Sequence, residues 1–267
     1  MIIILQDDLE FKGKKIPKTI LGTATFTGDT YFGHRARLYE LDLESKPENI
    51  AKVIEAAYNT GVKSINLVNH ENLLKGYKIA CKNGVKMDVV ATIGKSKVNY
   101  LRPDYEKAKN VDWMEDIKKL KEYNPSIMVI DEFLVNSFDW AYIKNILNEI
   151  NKLNIFSGLI TFTPFETTEK LLNSPIIDDF DFYMIPVNKY GYIMDCESFL
   201  KEDQKKLTNL LKKLNKKIIV QKALAVGILK PEEAFEFLKQ LNFVDMITVG
   251  VANQKEVEST FNILKDL

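Results

Sequence analysis

Residues 89–93 read Val-Val-Ala-Thr-Ile, residues 127–130 Ile-Met-Val-Ile and residues 218–221 Ile-Ile-Val-Gln. Each is a short, near-continuous apolar run rich in β-branched residues. A strand of this kind is buried on both faces, the environment of a parallel sheet covered by helices. A sheet with one wet face would instead show polar residues at alternate positions. The fold therefore turns on how many such runs exist and what separates them.

Similar runs fall at Thr19–Phe26, Ser64–Val68, Met87–Ile93, Ile127–Ile130, Phe156–Thr161, Phe182–Pro186, Lys217–Lys222 and Met246–Gly250. Between them lie amphipathic segments. In the first, residues 46–61, Pro47 stands at the first turn and Gly61 marks the stop. Its apolar residues Ile50, Val53, Ile54, Ala57 and Tyr58 share one helical face. Further helices are expected at Leu73–Asn83, Asp112–Tyr123, Trp140–Leu153, Glu166–Leu172, Leu200–Leu214, Pro231–Leu241 and Lys255–Lys265. Eight strand–helix units in 267 residues predict an α/β fold, a single (β/α)8 TIM barrel over residues 1–267. An N-terminal β-ribbon, around Ile2–Ile4, Leu9–Phe11 and Lys15–Pro17, precedes it. The alternative, a doubly wound open sheet, asks for a Gly-rich first turn that the sequence lacks.

Composition narrows the function classes. Hydrophobic residues make up 46% and charged residues 28%, ordinary for a soluble domain. The 37 basic and 37 acidic residues cancel, so no global field draws the chain to nucleic acid or an anionic membrane. No apolar stretch approaches the ~20 residues of a membrane span. Cys81 and Cys196 show no metal-ligand spacing and are expected to be free thiols in a reducing compartment. With no signal-peptide pattern at the start, the expected location is cytoplasmic. The expected partner is a small-molecule substrate, with the oligomeric state open.

In a barrel, chemistry gathers in the loops after the strands. The longest is residues 27–46, a loop insertion after the first strand carrying Tyr31, His34, Arg35, Arg37 and Tyr39. A second, residues 94–111, carries Tyr100, Arg102 and Tyr105. All three arginines of the chain thus fall on one face, where an anion site is one reading and simple solvent exposure the other.

Three segments resemble the aldo-keto reductase family: residues 12–28 "KGKKIPKTILGTATFTG", residues 158–172 "GLITFTPFETTEKLL", and the C-terminal run from "IIVQKALAVGILKPEEAFEFL" to "DMITVGVANQKEVESTFNIL". The resemblance implies a (β/α)8 barrel closed below by a ribbon, with NADP(H) laid across the strand ends. It also implies a catalytic Asp, Tyr, Lys and His, in which the tyrosine gives a proton to a carbonyl as hydride arrives. Carried over by position, the aspartate falls on Asn66 and the tyrosine near His70 or Glu71. The lysine falls beside Ile93, with Lys95 two residues on, and the histidine on Asp131 or Glu132. Thr161, Asn188 and the turn from Gly250 to Val257, with Ala252, Asn253 and Lys255, match the family's cofactor-binding positions.

The candidate catalytic residues are therefore Asn66, His70, Asp131, Glu132 and Lys222, all at strand ends. Asp131 and Glu132 are adjacent, and alternation predicts that only one lines the pocket. Lys222 points into the mouth if Gln221 points out, and would serve as a cation, an ion-pair partner or a Schiff-base nucleophile. His70 with Asp131 and Glu132 is a conceivable divalent-ion set, but its spacing carries no metal motif. Three readings follow: a diverged NAD(P)H-dependent oxidoreductase for a small carbonyl compound with a relocated proton donor (Tyr31, Tyr39 or His34), a Schiff-base lyase or aldolase-type barrel using Lys222, and a non-catalytic barrel binding a small molecule or nucleotide.

Overall fold

A computed structural model describes residues 7–100 and 102–266. The first piece of the expected ribbon, Ile2–Ile4, lies outside the described residues. The remainder is a two-stranded antiparallel ribbon, β1 (Asp8–Phe11) and β2 (Lys14–Pro17), with Leu9 opposite Ile16. Eight parallel strands follow: β3 (Thr19–Gly22), β4 (Ser64–Val68), β5 (Asp88–Ile93), β6 (Ile127–Ile130), β7 (Phe156–Ile160), β8 (Phe182–Pro186), β9 (Lys217–Gln221) and β10 (Met246–Gly250). They pair in chain order, and β10 returns to β3, so the barrel is closed and has no edge. The expectation of a (β/α)8 barrel preceded by a β-ribbon is met.

Alternation along the strands divides the apolar residues into two cores. Leu21, Ile65, Val89, Met128, Leu159, Ile218 and Ile247 face the surrounding helices. Ile20, Val90, Ile127, Val129, Phe182, Met184, Ile219 and Met246 fill the barrel interior together with Leu9 and Ile16 of the ribbon. The ribbon is thus a stopper for the N-terminal end. Phe11 packs edge-on against Phe156 and Phe182 there, at centroid distances of 5.1 and 5.2 Å.

Strand ends differ from the sequence expectation where capping takes over. β3 stops at Gly22, and residues 24–26 form a single 3-10 turn. β6 stops at Ile130, because the Asp131 carboxylate accepts a hydrogen bond from the Phe133 N–H at 3.1 Å and starts a one-turn helix, Glu132–Val135. The segment 27–46 is largely helical: a 3-10 turn at Thr30–Phe32, a helix at His34–Tyr39 and a wider π-type turn at Glu40–Glu44. No helix of the described residues is long and apolar enough to cross a membrane.

Candidate active site

Towards the C-terminal end of the strands the inward-facing side chains become polar: Asn66 of β4, Thr92 of β5, Gln221 of β9 and Thr248 of β10 line a cavity of about 430 Å3. That size suits a small-molecule site. Asn66 donates to the Val90 carbonyl and to the Thr92 hydroxyl, both at 3.0 Å. Its amide is therefore spent on holding β4 to β5.

Two ion pairs stand in the mouth. Lys222 Nζ lies 3.0 Å from Glu132 Oε2, with only 5% and 6% of the two side chains exposed. The other Glu132 oxygen accepts the Tyr100 hydroxyl. The Lys222 ammonium also sits 5.2 Å from the centroid of the Tyr31 ring and 5.1 Å from that of Tyr100. Burying two charges is costly unless pairing and hydrogen bonds are complete, and here both rings and the phenol complete them. The second pair is Lys95 Nζ with Asp29 Oδ2 at 3.1 Å. Burial works against the Lys95 cation, but Asp29, Asp131 and Glu132 outweigh it and hold its pKa above the usual lysine value.

Asp131 lies beside these charges. Burial pushes its pKa up to about 6, with Lys95 pulling the other way. Tyr31 is raised well above the ordinary phenol, first by burial and then by the charge of Asp29, with Lys95 opposing. The Tyr31 hydroxyl makes no hydrogen bond among the described residues, whereas Tyr100 is committed to Glu132. Above them runs a row of ring contacts: Tyr31 with Phe32 (4.5 Å) and Tyr100 (5.1 Å), Phe32 with Tyr39 (5.0 Å), and Tyr100 with Phe133 (4.8 Å). The insertion 27–46 thereby roofs the mouth.

The cavity extends outward to the last helices. The segment after β9 borders it, and its backbone is forced: Lys222 has φ 57°, Ala225 45° and Val226 61°. The left-handed region is a genuine outlier for a β-branched residue, and such outliers gather at functional sites. Arg35 Nη1 holds the Val226 carbonyl at 3.4 Å. On the opposite side the helix Gln254–Phe261 begins. The Asn253 side chain accepts the Glu256 N–H at 3.0 Å, and Glu256 reaches back to accept the Ala252 N–H at 2.8 Å. This reciprocal capping uses two of the donors at the helix start, the Ala252 and Glu256 N–H groups.

The expected site residues separate cleanly. Asn66, Asp131, Glu132, Lys222 and Gly250 border the cavity. Both acids do so, contrary to strict alternation, because β6 has ended and the chain is turning at Asp131. Gln221 and Lys222 also both line it, since the positive φ of Lys222 swings its side chain back in. His70 is elsewhere: it caps the helix Glu71–Lys82, accepting the Leu73 N–H, and its Nε2 lies 3.2 Å from Glu44. Among the described residues no cluster suited to a metal forms. Thr161 bonds Asn136 and Thr167, and Asn188 ties down its own loop through Tyr190 and Tyr192. Lys255 is exposed and Asn253 is a cap, and neither borders the cavity, nor does Ala252. Of the arginines only Arg35 lines it; Arg37 pairs with Glu40 at 2.6 Å.

Sequence reasoning passed over Asp29 and gave Lys95 only a neighbouring place. Each follows a glycine with positive φ, Gly28 at 61° and Gly94 at 79°. Those turns bring the two charges together. A Cβ at Gly94 would lie 2.3 Å from Leu134 Cδ1 and displace it, and the φ of 79° itself favours glycine.

No protein-family model and no curated protein sequence matches the chain. Solved structures do. A Pseudomonas aeruginosa protein, provisionally described as an aldo-keto reductase, covers 98% of this chain and 96% of its own at 15% identity, with a TM-score of 0.62. A mutant of Gox0644 in complex with NADPH covers 97% and 88% at 12% identity, TM-score 0.60. An archaeal fructose-1,6-bisphosphate aldolase, with its catalytic lysine bound to a carbinolamine, covers 94% and 92% at 9% identity, TM-score 0.51. At such identities the likeness is one of fold: this chain has the barrel of the aldo-keto reductases.

Proposed function

We propose that the chain is an aldo-keto-reductase-like oxidoreductase, dependent on a nicotinamide nucleotide, that reduces a small carbonyl compound with a proton-donating set moved into the insertion after β3. The observation that carries this reading is the Asp29–Lys95 ion pair beside Tyr31. The family it resembles combines an Asp–Lys pair with a tyrosine, and here the same residue types meet from other points of the chain.

The donor set of the cavity fits the nucleotide. Arg35 and Lys230 line its outer part, and neither has a carboxylate partner among the described residues, leaving two cations for a pyrophosphate. Gln221 lines the inner part with an amide suited to a carboxamide. When bound, the nicotinamide supplies the hydride. Tyr31, its hydroxyl unengaged, hands its proton to the carbonyl oxygen. Lys95 offsets the phenolate that remains, and Asp29 holds Lys95 in place. Lys222, anchored by Glu132, is a second fixed cation beside both tyrosine rings, and the aromatic roof keeps water out. The charge of Asp131 adds to that of Asp29 in holding Lys95 protonated.

A second reading has its own observation. Lys222 directly follows β9 in a strained conformation at the mouth, and an aldolase with a covalent lysine shares the fold. Calorimetric titration of the purified protein with NADH and NADPH separates the two; Trp113 and Trp140 do not line the cavity, so tryptophan quenching is the weaker reporter. Saturable binding followed by carbonyl-dependent oxidation of the nucleotide supports the oxidoreductase. Absence of binding by either nucleotide sinks it, and borohydride trapping of a carbonyl compound on Lys222 would then establish the lyase.

A further inference from the structure

The outer part of the cavity contains a carboxylate where the family resemblance leads one to expect a phosphate. Glu256, Ser259 and Thr260 of the terminal helix border the cavity together with Tyr39. Glu256 Oε2 accepts the Ala252 N–H at 2.8 Å, and Oε1 accepts the Asn253 amide at 2.9 Å. The Glu256 N–H is itself taken by Asn253 at 3.0 Å. Two of the donors that would greet an incoming phosphate at this helix start, the Ala252 and Glu256 N–H groups, are thus already satisfied from within, and a negative charge stands among them.

A phosphate monoester brought here would meet a like charge and find the Ala252 and Glu256 N–H groups already taken. A sugar hydroxyl would meet the opposite: an acceptor, held rigid by two hydrogen bonds, to which it donates. In nucleotide sites generally, an acidic residue on the adenosine ribose accepts the 2′-hydroxyl and turns away a 2′-phosphate. We propose that Glu256 makes this chain selective for NADH over NADPH. The inference rests on the nicotinamide-nucleotide reading above and adds to it the identity of the cofactor. Burial and the nearby Glu256 charge also keep the Tyr39 phenol protonated, so that end of the cavity carries no second anion from Tyr39.

The test is calorimetric titration of the wild-type protein and Glu256→Gln with NADH and with NADPH, alongside thermal unfolding. Glutamine keeps the shape of the side chain and an oxygen for the Ala252 N–H; the charge is removed, together with the acceptor of the Asn253 amide, while Asn253 still caps through its own oxygen. The wild type is expected to bind NADH at least about tenfold tighter than NADPH, and Glu256→Gln to narrow that ratio by about tenfold, chiefly by tightening NADPH. An unchanged unfolding temperature shows that the variant is folded. Wild-type affinity for NADPH equal to or above that for NADH overturns the inference, as would occur if Arg35 or Lys230 grasped the 2′-phosphate. A ratio that Glu256→Gln leaves untouched overturns it as well. In both cases the oxidoreductase reading stands. Failure of the wild type to bind either nucleotide overturns that reading and this inference together.

Discussion

Lys222 and Glu132 are separated by 90 residues in the chain, yet Lys222 Nζ and Glu132 Oε2 stand 3.0 Å apart in the barrel mouth, each side chain nearly sealed from water. The pair joins the segment after β9 to the one after β6, across the cavity.

Removing one member leaves the other charged and buried. Glu132→Gln and Lys222→Met are each expected to lower the unfolding free energy by about 3–5 kcal/mol, and the double variant by clearly less than the sum. Urea denaturation of the four proteins measures the coupling. Additive losses would mean that the two side chains do not depend on one another.

Asp131 gives stability a slope with pH. Its carboxyl is raised from 3.8 to about 6 by burial. Between those values the folded protein keeps a proton that the unfolded chain has released, so stability falls as pH rises through the window. The total is about 3 kcal/mol, and none of the penalty is present below it. Asp88, Asp116 and Asp195 are raised by burial too and slope the same way, so the informative quantity is a difference. Asp131→Asn, which keeps the helix cap, is expected to flatten the curve of urea midpoint against pH relative to wild type.

Tyr31→Phe removes the proposed proton donor and little else, since its hydroxyl has no protein partner among the described residues. Turnover of the carbonyl substrate is expected to fall by roughly a hundred- to ten-thousand-fold, with nucleotide affinity unchanged. Steady-state kinetics and calorimetry on the same preparation decide it. A Tyr31→Phe protein with wild-type turnover would move the donor's role to another group.

Asn66→Asp writes the family's usual residue back into β4. It gains no activity on this account, because the side chain is bonded to the Val90 carbonyl and the Thr92 hydroxyl. A carboxylate there loses both donated bonds and faces a carbonyl oxygen, at a cost of about 1–3 kcal/mol. Thermal unfolding reads the loss, and a jump in turnover would contradict it.

The barrel was legible because its strands carry their burial in plain composition: runs such as 127–130 have no polar alternative. Asp131, Glu132 and Lys222 were legible for a related reason, as charged residues directly behind such runs. Thr161 and Asn188 share that position but turn into local hydrogen bonds with Asn136 and with the Tyr190–Tyr192 backbone, and strand position alone cannot distinguish the two outcomes. Asp29 and Lys95 come together only because Gly28 and Gly94 take positive φ. A glycine followed by a charge, "GD" at 28–29 and "GK" at 94–95, was the available trace. Pairing between loops 66 residues apart leaves no periodicity to read.

With the barrel interior filled by its own side chains and by Leu9 and Ile16 of the ribbon, the cavity above it is a well instead of a tunnel. Traffic in a well is governed by depth. On the proposed reading, a substrate held beside Lys95 and Lys222 must arrive before, and depart after, anything that lies over it beneath the roof of Tyr31 and Tyr100. On that reading the order of arrivals and departures is therefore imposed by the packed floor of the barrel, from beneath the groups in its mouth.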